Sequence, residues 1–281
     1  MSTFPSSLPK APFSPNYCKL IPLSADGDGV PDLCYIKTNN TGTGRVEVHI
    51  ASASSKFKTR IFEDGTTFYP ENDGTWLFVP SKDGGLKPDL ALIKTSNTGT
   101  GKVEVHIASG SSGYKARIQE TGTVFYPENN GIWKLYDYNG DGTLDLVYIK
   151  TSNTGTGRVE VHVALGTTSG PSYSAFTLQT GTTFLPENDG FWQLAPYSYP
   201  GAADLVFLKD QNTGTGQTEV HVASKSSVYQ NRIWESGSTF VQEANGVWSL
   251  VDFNGDGKAD LTYIKYQNTG TGTVEVHVAA G

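Results

Sequence analysis

The chain has 281 residues, among them 32 glycines and one methionine, with 17% charged side chains; this is the turn-rich composition of an all-β protein. A net charge of -7 excludes a nucleic-acid partner, which requires clustered Lys and Arg against phosphate. No apolar run approaches the roughly 18 residues of a membrane helix, so no membrane insertion is expected.

The N-terminal stretch MSTFPSSLPKAPFSP has neither a basic start nor an apolar core, so it does not read as a secretory signal, and a cytoplasmic location is expected unless export takes another route. Cys18 and Cys34 fall on neighbouring predicted strands. They read as two small buried side chains, the reading that a missing export signal favours, or as a disulfide.

One unit then recurs to the end of the chain. The string NTGTG begins at Asn40, Asn97, Asn153, Asn212 and Asn268, a period of roughly 56 residues that marks a repeat architecture. A lysine stands three residues ahead of each copy: Lys37, Lys94, Lys150, Lys209 and Lys265. A strand with the protein's only histidines follows each copy, at His49, His106, His162, His221 and His277.

Each unit reads as four short strands. The first is Trp-x-Leu (Trp133 to Leu135), the second Asp145 to Lys150, the third Val159 to Val163 and the fourth Tyr114 to Glu120. All alternate, are rich in β-branched or aromatic residues and are bounded by turn residues. Four antiparallel strands repeated radially predict a single five-bladed β-propeller over residues 1–281, acting as a monomer. The last repeat ends after its third strand. The N-terminal segment, with Phe4, Leu8 and Phe13, is expected to add the fourth strand of that blade and remove an edge.

In an up-and-down blade, successive loops alternate between the two faces of the ring. The NTGTG loops and the links between blades therefore share one face, and the first-to-second loops lie on the other. On that second face, two loops read D-x-N-x-D-G-x-x-D: Asp137, Asn139, Asp141, Thr143, Asp145, and Asp252, Asn254, Asp256, Lys258, Asp260. Alternating oxygen ligands, with Thr143 and Lys258 contributing backbone carbonyls, suit a calcium ion. Asp26, Asp28 and Asp32 form a weaker version, with Ser24 in first place, and the other two blades have lost the pattern. The alternative is a metal-free Asp-Gly turn.

A Trp-x-Leu strand followed by D-x-N-G-D-G-x-x-D-L resembles the FG-GAP/VCBS repeat family, whose broad group includes Psathyrella-type fungal lectins; tachylectin-type lectins are similar in blade number alone. The resemblance covers the first half of each repeat and implies a propeller with structural calcium, and its lectin members imply sugar sites. The NTGTG half departs from the integrin pattern.

The expected function is a multivalent, non-enzymatic lectin for glycans or glycoproteins, because near-identical loops on one face suit a small repeated ligand. Its candidate sugar residues lie in the links: Phe68, Tyr69, Glu71, Asn72 and Trp76; Phe125, Tyr126, Glu128, Asn129 and Trp133; Phe184, Glu187, Asn188 and Trp192; Phe240, Glu243 and Trp248. Each has a packing alternative, above all the tryptophans. A protein-interaction scaffold is the second reading. A propeller glycosidase comes third, because no unique pair of carboxylates stands out.

Overall fold

The computed structural model describes residues 18–20 (backbone), 24–169 and 172–281. It is a five-bladed all-β propeller, whose one helical piece among the described residues is a short 3₁₀ turn at Lys225–Ser227. The first blade holds β1 (Cys18–Leu20), β2 (Leu33–Lys37), β3 (Glu47–Ala51) and β4 (Arg60–Gly65). The second holds β5 (Gly74–Val79), β6 (Asp89–Lys94), β7 (Glu104–Ala108) and β8 (Arg117–Gly122). The third holds β9 (Gly131–Tyr136), β10 (Asp145–Lys150), β11 (Glu160–Ala164) and β12 (Phe176–Gly181). The fourth holds β13 (Gly190–Ala195), β14 (Asp204–Lys209), β15 (Gln217–Ala223) and β16 (Arg232–Val241). The fifth holds β17 (Gly246–Val251), β18 (Asp260–Lys265) and β19 (Glu275–Ala279). Strands pair antiparallel in sequence order within each blade. The expected N-terminal closing strand falls outside the described residues.

The core lies between blades, and the second strands show how. On β10, Leu146 and Tyr148 join a cluster with Ala91, Ile93 and Val105 of the second blade. The alternate residues Val147 and Ile149 join Trp192, Leu205 and Phe207 of the fourth. A strand with a neighbouring blade on each side buries both faces, so it reads as a continuous apolar run. Val251 and Ile264 of the fifth blade pack with Leu33, Tyr35 and Phe57 of the first, which closes the ring.

Two repeated devices hold the loops. The asparagine that opens each NTGTG string is left-handed, with φ between 48° and 51°, a conformation Asn tolerates better than most residues. The loop is then pinned by the strand after it. Thr43, Thr100, Thr156, Thr215 and Thr271 donate their N–H to Glu47, Glu104, Glu160, Glu219 and Glu275. Each histidine ring approaches the same carboxylate, from 3.1 Å at His106 to 3.5 Å at His277. The Thr43 hydrogen bonds, with His49 and Lys37 adding to them, outweigh burial and hold Glu47 down to about 2.

The second device joins blades. Tyr114, Tyr173 and Tyr229 precede the outermost strands, are fully buried and have φ of 64°, 58° and 62°. Their carbonyls accept N–H groups from the link ahead of their blade: Thr67 to Tyr114, Val124 to Tyr173 and Thr183 to Tyr229. A left-handed aromatic costs about 1–3 kcal/mol, and burial of the ring with this inter-blade bond holds it. The fourth strand of the second blade accordingly starts at Arg117, three residues later than the predicted Tyr114.

Candidate functional site

On the link face the candidate sugar groups are engaged in building the propeller. Trp76, Trp133, Trp192 and Trp248 are buried, as are Phe68, Phe125 and Phe184, with Phe240 partly buried against them. The indole N–H of Trp76, Trp133 and Trp192 donates to the carbonyl of Glu71, Glu128 and Glu187. The carboxylates of those glutamates and of Glu243 pair with Lys94, Lys150, Lys209 and Lys265. Tyr69 and Tyr126 are exposed, but the Arg45 guanidinium and the Lys102 ammonium sit over their rings at 3.6 and 3.0 Å. Asn72, Asn129 and Asn188 remain exposed on this face.

On the opposite face, the ninth-position aspartates accept backbone hydrogen bonds. Asp145 accepts the N–H of Tyr138 and Asn139 with one oxygen and that of Gly166 with the other. Asp32, Asp89 and Asp204 do the same with one loop N–H ahead of the strand and one beyond the third strand, and Asp260 with two ahead and one beyond. All five are buried, and burial pushes the carboxyl of Asp145 up to about 6. They tie two loops of a blade together through backbone N–H groups that burial would otherwise strand.

The remaining members of the loop do converge. Asp137 accepts from Gly140, Asp141 and Gly142, and the Asn139 amide donates to Asp141 at 2.9 Å. Asp252, Asn254 and Asp256 repeat the pattern. Asp26 and Asp28 are held by Ser24 instead. Among the described residues no three His, Cys, Asp or Glu side chains cluster around one point. Two carboxylates, an amide oxygen and a loop carbonyl per site are an oxygen-only set compatible with a hard cation, with Asp145 and Asp260 outside it.

A cavity on the ring axis opens on this second face rather than on the link face where the sequence directed attention. It measures about 690 Å³ and is walled by Leu77, Leu135, Tyr136, Leu194, Tyr199 and Leu250. A smaller cavity of about 290 Å³ enters from the link side. Lys134, Gln193 and Ser249 line both, so they form the waist of one channel. These residues are register equivalents at mid-strand on β9, β13 and β17, and Leu77 takes that position on β5. The backbone register places Lys19 there on β1.

Gln193 is fixed by the next blade: it accepts from Leu250 N–H at 3.3 Å and donates to the Leu250 carbonyl at 3.4 Å. Lys134 is held by no such bond. Part of its surface faces the channel, its amine lies deep in the ring, and desolvation lowers it to about 8. No hydrogen-bond or ion-pair partner reaches it among the described residues, whereas Lys94, Lys150, Lys209 and Lys265 are all paired. The channel's described lining has one carboxylate, Asp137, so the two-carboxylate arrangement of most glycoside hydrolases is not assembled there.

No protein-family model and no curated protein sequence matches the chain. Among solved structures it is similar to an alpha-L-arabinofuranosidase from Lactobacillus brevis, at 10% identity and a TM-score of 0.48, over 95% of this chain and 91% of that one. Two expectations are corrected here. Repetition of the link loops pointed to a multivalent lectin without catalysis, whereas the matched structure is an enzyme. The physical reason lies in the links themselves, whose repetition serves Trp burial and Glu–Lys pairing, needs that recur at every blade junction.

Proposed function

We propose that this propeller binds a small, oxygen-rich organic molecule in its axial channel, with the Lys134 amine as the anchoring group. The observation that carries the reading is a buried amine without a partner among the described residues, placed at the waist of a cavity of molecular size. Buried charges without a partner are costly, so a site that keeps one is organised for a ligand that supplies the missing oxygen. The cavity volume suits a small-molecule site, and its walls combine leucines and tyrosines with the polar side chains of Lys134, Asp137, Asn139, Gln193, Lys225 and Ser249, a mixture that can orient a polar ligand. Saturation-transfer NMR with a panel of small hydroxy acids, oxo acids and sugars tests this. Binding of at least one compound is expected in the wild type, with loss in Ser249→Trp, which fills the waist. A panel that binds neither protein, or binds both equally, overturns it.

The blades are, in the same reading, VCBS-type repeats whose third and fifth members take calcium. Asp137, Asn139 and Asp141, with the Thr143 carbonyl, would hold one ion; Asp252, Asn254 and Asp256, with the Lys258 carbonyl, would hold the other. The ions would neutralise clustered carboxylates and stiffen the rim of the channel. Millimolar calcium is expected to raise the melting temperature of the wild type, and to leave the Asp137→Asn/Asp252→Asn double variant unchanged. Equal responses of the two proteins would refute a role for these loops.

A further inference from the structure

The axial lysine invites a more specific chemistry than charge pairing. Lysine amines become nucleophiles when an apolar pocket removes the hydration that favours the ammonium form. Lys134 meets the geometric conditions: it is on the innermost strand of its blade, it lines the cavity at a waist reached from both ends, and no carboxylate among the described residues holds it as a cation. Of the other channel groups at its level, Gln193 is bonded to β17, Leu77 is apolar and Ser249 offers a hydroxyl, which forms no imine; Lys19 holds the equivalent backbone position on β1 and is read in the same test.

We propose that Lys134 forms an imine with a small aldehyde or ketone admitted to the axial channel. This deepens the ligand-binding reading above and rests on it. The neutral amine attacks the carbonyl carbon with its lone pair, forming the C–N bond as the C=O π pair moves to oxygen, and one of the two N–H protons passes to that oxygen. The resulting carbinolamine gives up its C–O bond as the nitrogen lone pair completes the C=N bond, and the oxygen leaves as water with the second N–H proton. One water leaves for each imine formed, no oxidant or reductant takes part, and the two channel mouths offer a path for it.

Burial supports the step by lowering the amine to about 8, which leaves a usable neutral fraction near neutral pH. Position supports it as well. The lysines of the second strands are each held by a glutamate, at 2.6 Å in Lys94 and 2.7 Å in Lys150 and Lys265. A paired ammonium has its lone pair protonated and is a poor nucleophile. Lys134 is therefore chemically separate from the repeated lysines although it lies on the same scaffold.

The test uses the full-length protein, glyoxylate as the carbonyl probe and cyanoborohydride to reduce any imine to a stable secondary amine. Peptide mass spectrometry then reads each lysine. Modification of Lys134 is expected to run roughly ten-fold ahead of every other lysine at limiting probe. Ser249→Trp is expected to abolish it, and so is Lys134→Arg, which keeps the charge but cannot form the imine. A melting temperature for each variant shows that the ring is intact. Modification spread over the lysines according to exposure overturns the proposal, as does an unmodified Lys134 in the folded wild type. If compounds bind the wild-type channel in the NMR panel while Lys134 stays unmodified, the imine is refuted and the binding reading survives.

Discussion

Replacing Gly74 with alanine is expected to destabilise the propeller by about 3 kcal/mol, within the range that overpacking of a rigid core reaches. A Cβ at this position would lie 2.0 Å from the Ile93 carbonyl oxygen and 2.8 Å from the Lys94 Cα. Both are backbone atoms of the paired strand, and Gly74 sits directly opposite Lys94 in the register. The strand cannot retreat without opening the innermost pair of the blade. In a chain of this size, the effect corresponds to roughly 10 °C in the melting temperature. Gly131, Gly190 and Gly246 meet the same carbonyl, at 2.3, 2.2 and 2.4 Å. Gly140→Ala is the control. Its φ is 81° and nothing lies within 4 Å of the added carbon, so the cost there is conformational, about 1–2 kcal/mol. Equal melting temperatures for Gly74→Ala and the wild type would show that the inner strand pair yields more than this packing implies.

Asp89→Ala is the second substitution expected to have a large effect, again about 3 kcal/mol. Two donors, the part-buried Lys82 N–H and the buried Gly110 N–H, lose their acceptor, and an unmet buried donor costs about 1–3 kcal/mol. The blade that carries Asp89 has lost the rest of the calcium-type loop, so the result reports on the backbone tie alone. Asp89→Asn keeps one acceptor oxygen and is expected to recover about half of the loss. Urea unfolding with an unchanged m-value reads both. A wild-type midpoint for Asp89→Ala would remove the structural role from the aspartates of all five blades.

Repetition made the fold legible. Five NTGTG strings and their flanking strands defined blade number, strand count and the order of loops, because each blade must meet its neighbour in the same way. The same repetition obscured the site. Trp76 and Glu71 recur because every junction needs an indole buried and a lysine paired, and that demand resembles a repeated binding loop when only the sequence is in view. The tie aspartates were visible as an Asp-Leu pair in all five blades, including Asp89 and Asp204 where the loop ligands were gone. That persistence was the signal separating backbone support from metal binding. Tyr114 was read as a strand residue, since alternation carries no information about a left-handed turn. Lys134 was hidden for the opposite reason. Its equivalents are Lys19, Leu77, Gln193 and Ser249, and a position that varies among the copies is discarded when copies are aligned by what they share. Around an axis, each blade contributes one side chain to a common space, so variation there is what an individual site requires.

The bonds from each link to the tyrosine of the next blade also give the ring a direction. Thr67 finds its acceptor only after Tyr114 exists, Val124 only after Tyr173, and Thr183 only after Tyr229. During synthesis from the N-terminus, a finished blade therefore emerges with an unmet donor that its successor supplies roughly fifty residues later. At about 5–20 residues per second, that interval lasts several seconds. Assembly should then proceed as a relay in which every arriving blade completes the one before it, and a ribosome pause within a unit should leave the preceding blade, not the nascent one, as the exposed species.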